Sequence, residues 1–177
     1  MNTSEEFDQI VARCRHIYTL KMKDYGPSWR IMRPQTVNDQ LFIKAKRIRE
    51  IEMTGVNLVG ESIEGELMAI VNYAIIGLIQ LRNGFSDHAD MSQERAIDLY
   101  DQYIHEAKEL MLRKNHDYGE AWREMLPASL TDIILTKINR NKSITANDNQ
   151  TLISEGCDGN YFDMLNYAIF YLIKILL

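Results

Sequence analysis

One short motif occurs twice in this chain of 177 residues, and it constrains the fold more than any other feature. The first copy reads KMKDYGPSWRIMRP from Lys21, and the second reads RKNHDYGEAWREMLP from Arg113. Asp-Tyr-Gly, Trp-Arg, Met and Pro recur at the same offset of 93 residues, which relates Asp24 to Asp117. A match of this length indicates an internal duplication, so the fold must accommodate two similar units.

A helix is predicted before the motif in each copy. Apolar residues recur at helical spacing over residues 7–18 and again over residues 100–111. Gly26 and Gly119 are predicted to end these helices, because glycine adopts a left-handed conformation at little cost.

Two further helices are predicted after the motif. Pro34 and Pro127 predict a short extended segment, after which the second helices begin at Thr36 and Ser129. Beyond a variable loop the offset becomes 94 residues, and the third helices align as GESIEGELMAIVNYAIIGLI and SEGCDGNYFDMLNYAIFYLI.

No segment has the alternating Val-, Ile- and Thr-rich pattern of a strand. We therefore predict an all-α domain of six helices, in which two pseudo-twofold-related three-helix repeats pack as the subunits of a homodimer would. Repeat one is assigned to residues 4–81, the linker to residues 82–91 and repeat two to residues 92–177.

Charge and cysteine content narrow the class of protein. A formal net charge of −5 argues against direct binding to nucleic acid, but not against a nucleotide carried with a divalent cation. Cys14 and Cys157 are far apart and form no metal or disulfide motif, which suits a reducing cytoplasm. The polar N-terminal residues have no signal-peptide pattern.

The C-terminal segment MLNYAIFYLIKILL is the most apolar part of the chain. It is shorter than a membrane span and includes Asn166 and Lys174, so a membrane anchor is not expected. We predict a buried helix, covered in part by a second subunit in a homo-oligomer.

Acidic side chains near the start of the third helices are the main candidates for chemistry. Glu61 and Glu64 share a helix face, as do Glu155 and Asp158, and Asp163 lies roughly one turn further along. Carboxylates that converge in this way suit Mg²⁺ or Mn²⁺. The alternative is that acids in a first turn simply interact with the positive end of the helix.

Polar residues deeper in the third helices need partners. Asp163, Asn72 and Asn166 lie among apolar residues, where an unpaired polar group costs free energy. This position favours either a functional site or a buried polar network.

Cations and tryptophans are the second group of candidates. Each second helix carries a lysine and an arginine three residues apart, namely Lys44 and Arg47, and Lys137 and Arg140. These side chains can hold phosphates or pair with the acids, and the sequence leaves both interpretations open. Trp29 and Trp122 are interpreted as buried anchors, with stacking on a nucleobase as the alternative.

Asp24 and Asp117 lie at the negative ends of the first helices, where a carboxylate is disfavoured. A partner is therefore expected for each. The favoured interpretation is an ion pair with Arg30 or Arg123, and the alternative is contact with a ligand.

The combination of Asp-Tyr-Gly, Asp-x₄-Lys-x₂-Arg and Glu followed by Asn-Tyr-Ala resembles the nucleotide modification associated domain family. The resemblance covers both copies and implies a helical, tandem-duplicated member of that family. A more distant similarity is to the all-α nucleoside triphosphate pyrophosphohydrolases of the MazG and dimeric dUTPase group. It implies that the Glu61/Glu64 and Glu155/Asp158 pairs hold Mg²⁺, although the preceding helix here presents Lys and Arg where that group has glutamates.

Three functions remain open from the sequence. The first is a Mg²⁺-dependent pyrophosphohydrolase acting on a standard or modified nucleoside triphosphate, with metal and water held by Glu155, Asp158 and Asp163. The second is a nucleotide-binding or sensing module that has lost catalysis, and the third is a purely structural helical oligomer. Substrate contacts in the first two are assigned to Lys137, Arg140, Lys44, Arg47, Trp122, Asp117, Asp24 and Asn166.

Overall fold

Six α-helices and two short 3₁₀ helices make up the fold, and no strand is present. The computed structural model describes all residues from Met1 to Leu177. The α-helices are α1 (Thr3–Tyr25), α2 (Pro34–Thr54), α3 (Ile63–Asn83), α4 (Gln93–Tyr118), α5 (Pro127–Ala146) and α6 (Cys157–Leu176). The predicted all-α fold of two three-helix repeats is therefore confirmed, with α1 to α3 in repeat one and α4 to α6 in repeat two.

The repeats pack around a pseudo-twofold axis through equivalent pairs of helices. Across the axis α3 packs on α6, α2 packs on α5, and α1 lies against α4. Within each repeat the second and third helices pack on each other. A single hydrophobic cluster joins all six helices, because the third helix of each repeat is apolar on nearly every side.

Local signals explain most helix ends, with two corrections. Gly26 and Gly119 end α1 and α4 with φ angles of 67° and 60°, as predicted. Pro34 and Pro127 do not lie in an extended segment as predicted. They occupy the first turns of α2 and α5, where the missing N–H has no helical partner to lose.

The apolar third helices are core helices. α3 is long and apolar enough to cross a membrane, with a mean hydropathy of 1.3, but 72% of that stretch is buried inside the fold. α6 is covered by α3 and α5 of the same chain, leaving Ile175 and Leu177 about half exposed. Since its own chain covers most of α6, its apolar character needs no second subunit, and oligomerisation stays a prediction.

The close approach of α3 to α6 depends on a glycine. Gly77 lies directly beneath the ring of Tyr161, and a Cβ at this position would be 2.6 Å from Cε1 of that ring. Tyr161 is only 2% exposed, so its ring has little room to move. Gly77 therefore sets the distance between the two central helices.

We predict that Gly77→Ala lowers the free energy of unfolding by about 1–2 kcal/mol, because overpacking outweighs the better helix propensity of alanine. Gly65→Ala in the same helix is the matched control, since its Cβ would meet only Ser62 Oγ at 3.4 Å. Urea unfolding followed by circular dichroism measures both variants. Equal stability of the two would contradict this account of the α3–α6 contact.

Candidate functional site

In repeat two, Asp163 of α6 lies between two lysines. Its Oδ1 accepts a hydrogen bond from Lys114 Nζ at 2.9 Å, and its Oδ2 lies 3.0 Å from Lys137 Nζ. The Asp163 side chain is 10% exposed, so this carboxylate is buried but neutralised. Partial burial lowers the pKa of Lys114, but the hydrogen bond and the negative charge of Asp163 outweigh it and leave that pKa raised.

Arg140 is the cation of this group that has no carboxylate partner. It is exposed on α5, one turn beyond Lys137, and its guanidinium forms no ion pair and no hydrogen bond. It lines a polar cavity of about 800 Å³ between α5, the start of α6 and residues 147–155. We call this cavity the polar compartment; Lys114, Lys137 and Asp163 also line it.

A second cavity adjoins the first. It has a volume of about 310 Å³, and we call it the aromatic compartment. Its walls include Tyr118, Trp122, Tyr167 and Phe170, with Met111 on the α4 side. Because Lys114, Lys137 and Asp163 line both cavities, the two compartments meet at the buried ion-pair group.

Repeat one closes the equivalent space with its own carboxylates. Glu66, only 3% exposed, lies 3.6 Å from both Lys44 Nζ and Arg47 Nη1. Burial raises the pKa of the Glu66 carboxyl, against the opposing effect of the Lys44 and Arg47 charges. At the same position in repeat two stands the neutral Asn160. In the first repeat both cations are therefore paired with a carboxylate of the same repeat.

The loop after α2 completes this closure. Arg47 Nη2 donates to Asn57 Oδ1 at 2.6 Å and to the Glu61 carbonyl oxygen at 2.8 Å, which fixes residues 55–62 over the second helix. The cavity of repeat one that corresponds to the aromatic compartment has a volume of only about 80 Å³. Two copies of one fold thus give one open site and one closed site.

The acidic residues of α6 do not form the metal cluster that the sequence predicted. Asp158 turns away toward Arg82 of α3, with its Oδ2 3.6 Å from Nη2, while Asp163 is held by lysines. Glu155 is exposed at the mouth of the polar compartment, with its carboxylate against Gly159. No group of three or more His, Cys, Asp or Glu side chains lies close enough to hold a metal ion, so the predicted convergence is wrong.

The acids of repeat one are also separated. Glu61 lies 3.9 Å from Arg47 and is 61% exposed, while Glu64 forms no ion pair. The acids separate because Glu61 and Asp158 each face an arginine of a different helix, while Asp163 is held by two lysines. Glu155, like Glu64, forms no ion pair. The residues present do not fit a Mg²⁺ or Mn²⁺ ion held by the chain alone.

Asp24 and Asp117 lie outside both compartments. Both are exposed, and the expected ion pairs with Arg30 and Arg123 are wrong. Arg30 instead donates to Asp90 at 2.9 Å, and Arg123 bonds Glu6 at 2.5 Å. In each case an acid from another element is closer.

Trp122 is a buried anchor, as the favoured interpretation held. It is 4% exposed and stacks on Phe170 with ring centroids 4.3 Å apart. The Arg123 guanidinium lies 4.4 Å from the same ring. With these neighbours on its ring, Trp122 is not placed to stack on a base.

The asparagines of the third helices form hydrogen bonds with backbone carbonyl oxygens, as predicted from their position among apolar residues. Asn72 Nδ2 donates to the Cys14 carbonyl oxygen, and Asn166 Nδ2 donates to the Ala107 carbonyl oxygen. These bonds tie each third helix to the first helix of its own repeat.

Sequence reasoning missed two residues that define the site. Lys114 recurs as Lys21 at the offset of the motif, and that repetition was the available signal. Glu66 had a weaker signal, namely a charge in one repeat where the other has Asn160.

Comparison with known families gives one result. A family model described as nucleotide modification associated domain 1 matches the chain twice, over residues 21–81 and 114–175. Each matched segment begins at the lysine that the motif repeats, Lys21 or Lys114. No curated protein and no solved structure matches the chain.

We predict that Asp163→Asn lowers the free energy of unfolding by about 1–3 kcal/mol, because it leaves two lysine ammonium groups close together without a counter-charge. Asp158→Asn on the same helix is the control, and we expect a change within about 0.5 kcal/mol, since that side chain is 48% exposed. Chemical denaturation at low ionic strength measures both. A larger loss for Asp158→Asn would contradict the assigned roles.

Proposed function

Since this chain belongs to the nucleotide modification associated domain 1 family, we propose that its second repeat binds a nucleotide. The phosphates lie in the polar compartment and the base lies in the aromatic compartment. The observation that carries this proposal is that the two cavities meet at Lys114, Lys137 and Asp163. A ligand that spans them needs an anionic end and a flat apolar end, and a nucleotide has both.

Three cations supply the phosphate contacts. Lys114 and Lys137 are held in place by Asp163, so little side-chain entropy is lost when an anion binds. Arg140 has no partner to give up, and its guanidinium suits a bidentate contact with phosphate oxygens.

The aromatic compartment supplies a surface for the base. Tyr118 is 73% exposed at its edge and Tyr167 is half-buried in its wall, so both rings are available for contact. Aromatic side chains bind bases by stacking with little dependence on sequence. Tyr118 and Tyr167 thus take the role that the sequence assigned to a tryptophan.

Repeat one does not bind a nucleotide in this proposal. Lys44 and Arg47 are already paired with Glu66, and the loop held by Arg47 occupies the entrance. Neither of these cations is free of a carboxylate, whereas Arg140 in repeat two is. Assignment of Lys44 and Arg47 to substrate contact is therefore replaced by a structural role.

Between binding and hydrolysis, the geometry favours a binding or sensing module. A pyrophosphohydrolase needs carboxylates that hold metal and orient water, whereas here Asp158 and Asp163 are committed to cations. We place the module in the cytoplasm, because Cys14 and Cys157 are both unpaired thiols.

Arg140→Gln tests the proposal most cleanly, because in the free protein Arg140 makes no contact whose loss would disturb the fold. We expect affinity for nucleoside triphosphates and for inorganic tripolyphosphate to fall by about tenfold, given about 1.5–3 kcal/mol for a charge-assisted hydrogen bond partly replaced by water. Isothermal titration calorimetry measures both ligands. Lys142→Gln, an exposed cation on the same helix outside both compartments, should leave affinity unchanged.

Two outcomes contradict the proposal. Equal losses of affinity in Arg140→Gln and Lys142→Gln would mean that binding is non-specific. If the wild-type chain binds neither ligand, repeat two is not a nucleotide-binding site. The same samples, incubated with Mg²⁺ or Mn²⁺ and a panel of standard and modified triphosphates, should release no pyrophosphate. Release that stops in Asp163→Asn would instead support the pyrophosphohydrolase.

A further inference from the structure

Asn166 carries a buried acceptor that no group in the protein satisfies. Its Nδ2 donates to the Ala107 carbonyl oxygen at 3.2 Å, which fixes the amide orientation and leaves Oδ1 without a partner. The residue is 6% exposed and lines the aromatic compartment. Leaving such an acceptor unpaired costs free energy, so its presence requires a physical reason.

The equivalent asparagine in repeat one has no such deficit. Asn72 Oδ1 accepts a hydrogen bond from the Tyr100 hydroxyl at 2.8 Å, across the pseudo-twofold axis. The offset of 93 residues places Phe7 at the position in α1 that Tyr100 holds in α4. Phenylalanine has no hydroxyl to donate, so Asn72 Oδ1 has a partner while Asn166 Oδ1 has none, although Asn166 lines the larger cavity.

Trp122 adds a donor to the same compartment. Its Nε1 is buried and has no acceptor in the protein. Trp29 Nε1 is also unpaired, so the difference between the repeats lies at the asparagines and in cavity size. In repeat two the residues that carry the unpaired acceptor and the unpaired donor, Asn166 and Trp122, both line one space of about 310 Å³, and the two atoms themselves are buried.

We propose that Asn166 and Trp122 read the edge of a nucleobase, a specificity that rests on the proposed nucleotide site. A ring N–H or amino group of the base donates to Asn166 Oδ1, and a neighbouring carbonyl oxygen or ring nitrogen accepts from Trp122 Nε1. The ligand is therefore a nucleotide with an intact heterocyclic base, and a sugar phosphate or a bare polyphosphate lacks half of the recognition. A buried site built for hydrogen bonding discriminates strongly against ligands that leave its groups unpaired.

The test compares inorganic tripolyphosphate with ATP, GTP, CTP and UTP by isothermal titration calorimetry. We expect the wild-type chain to bind at least one of these nucleotides tenfold or more tightly than tripolyphosphate. Asn166→Leu should remove that preference and leave tripolyphosphate affinity unchanged. Phe7→Tyr serves as a second variant, because it supplies to Asn166 the hydroxyl that Tyr100 supplies to Asn72 and should also remove the preference without deleting any contact.

The outcomes separate this inference from the proposed site. If tripolyphosphate does not bind, the proposed site itself fails. If tripolyphosphate binds but no nucleotide binds more tightly, base recognition is overturned while the phosphate site stands. If a nucleotide preference survives in Phe7→Tyr, or in a folded Asn166→Leu chain, Asn166 is not the residue that reads the base.

Discussion

The position of one buried carboxylate relative to the basic second helix determines the character of each repeat. In repeat one, Glu66 lies between Lys44 and Arg47 and forms an ion pair with each. In repeat two the carboxylate lies one turn deeper, at Asp163, where it holds Lys137 and Lys114. A buried charge requires a partner, so this shift of one helical turn leaves Arg140 unpaired in one repeat, whereas its counterpart Arg47 is paired with Glu66 in the other.

This difference in ion pairing also determines how the loop after the second helix packs in each repeat. Arg47 binds Asn57 and the Glu61 backbone, and so holds residues 55–62 against the second helix. Arg140 forms no such bonds, and residues 147–155 line a wide polar cavity instead. In the duplicated fold, repeat one is therefore closed by its own side chains and contributes to packing. The other half retains a space of suitable shape and charge for an anionic ligand with a flat apolar end.

Much of this fold could be predicted from the sequence, because the duplication, the helical periodicity and the C-cap glycines are all visible in it. The site could be predicted only in part. Spacing correctly placed Glu155, Asp158 and Asp163 near the start of one helix, but Asp158 and Asp163 face cations of other helices, and Glu155 forms no ion pair. The role of Lys114 could not be predicted, because its partner Asp163 is distant in sequence. The unpaired Asn166 Oδ1 could be recognised only by comparing the equivalent positions Phe7 and Tyr100.

Anomalous diffraction from crystals soaked in tungstate, a phosphate-like anion, tests the central claim most directly, because it reveals both the number and the place of bound anions. The account predicts one strong peak per chain, in contact with Lys137 and Arg140 and absent beside Lys44 and Arg47. Peaks of equal height in both repeats, or a peak in repeat one alone, would contradict the claim that Glu66 closes the first repeat and that Asp163 leaves the second open.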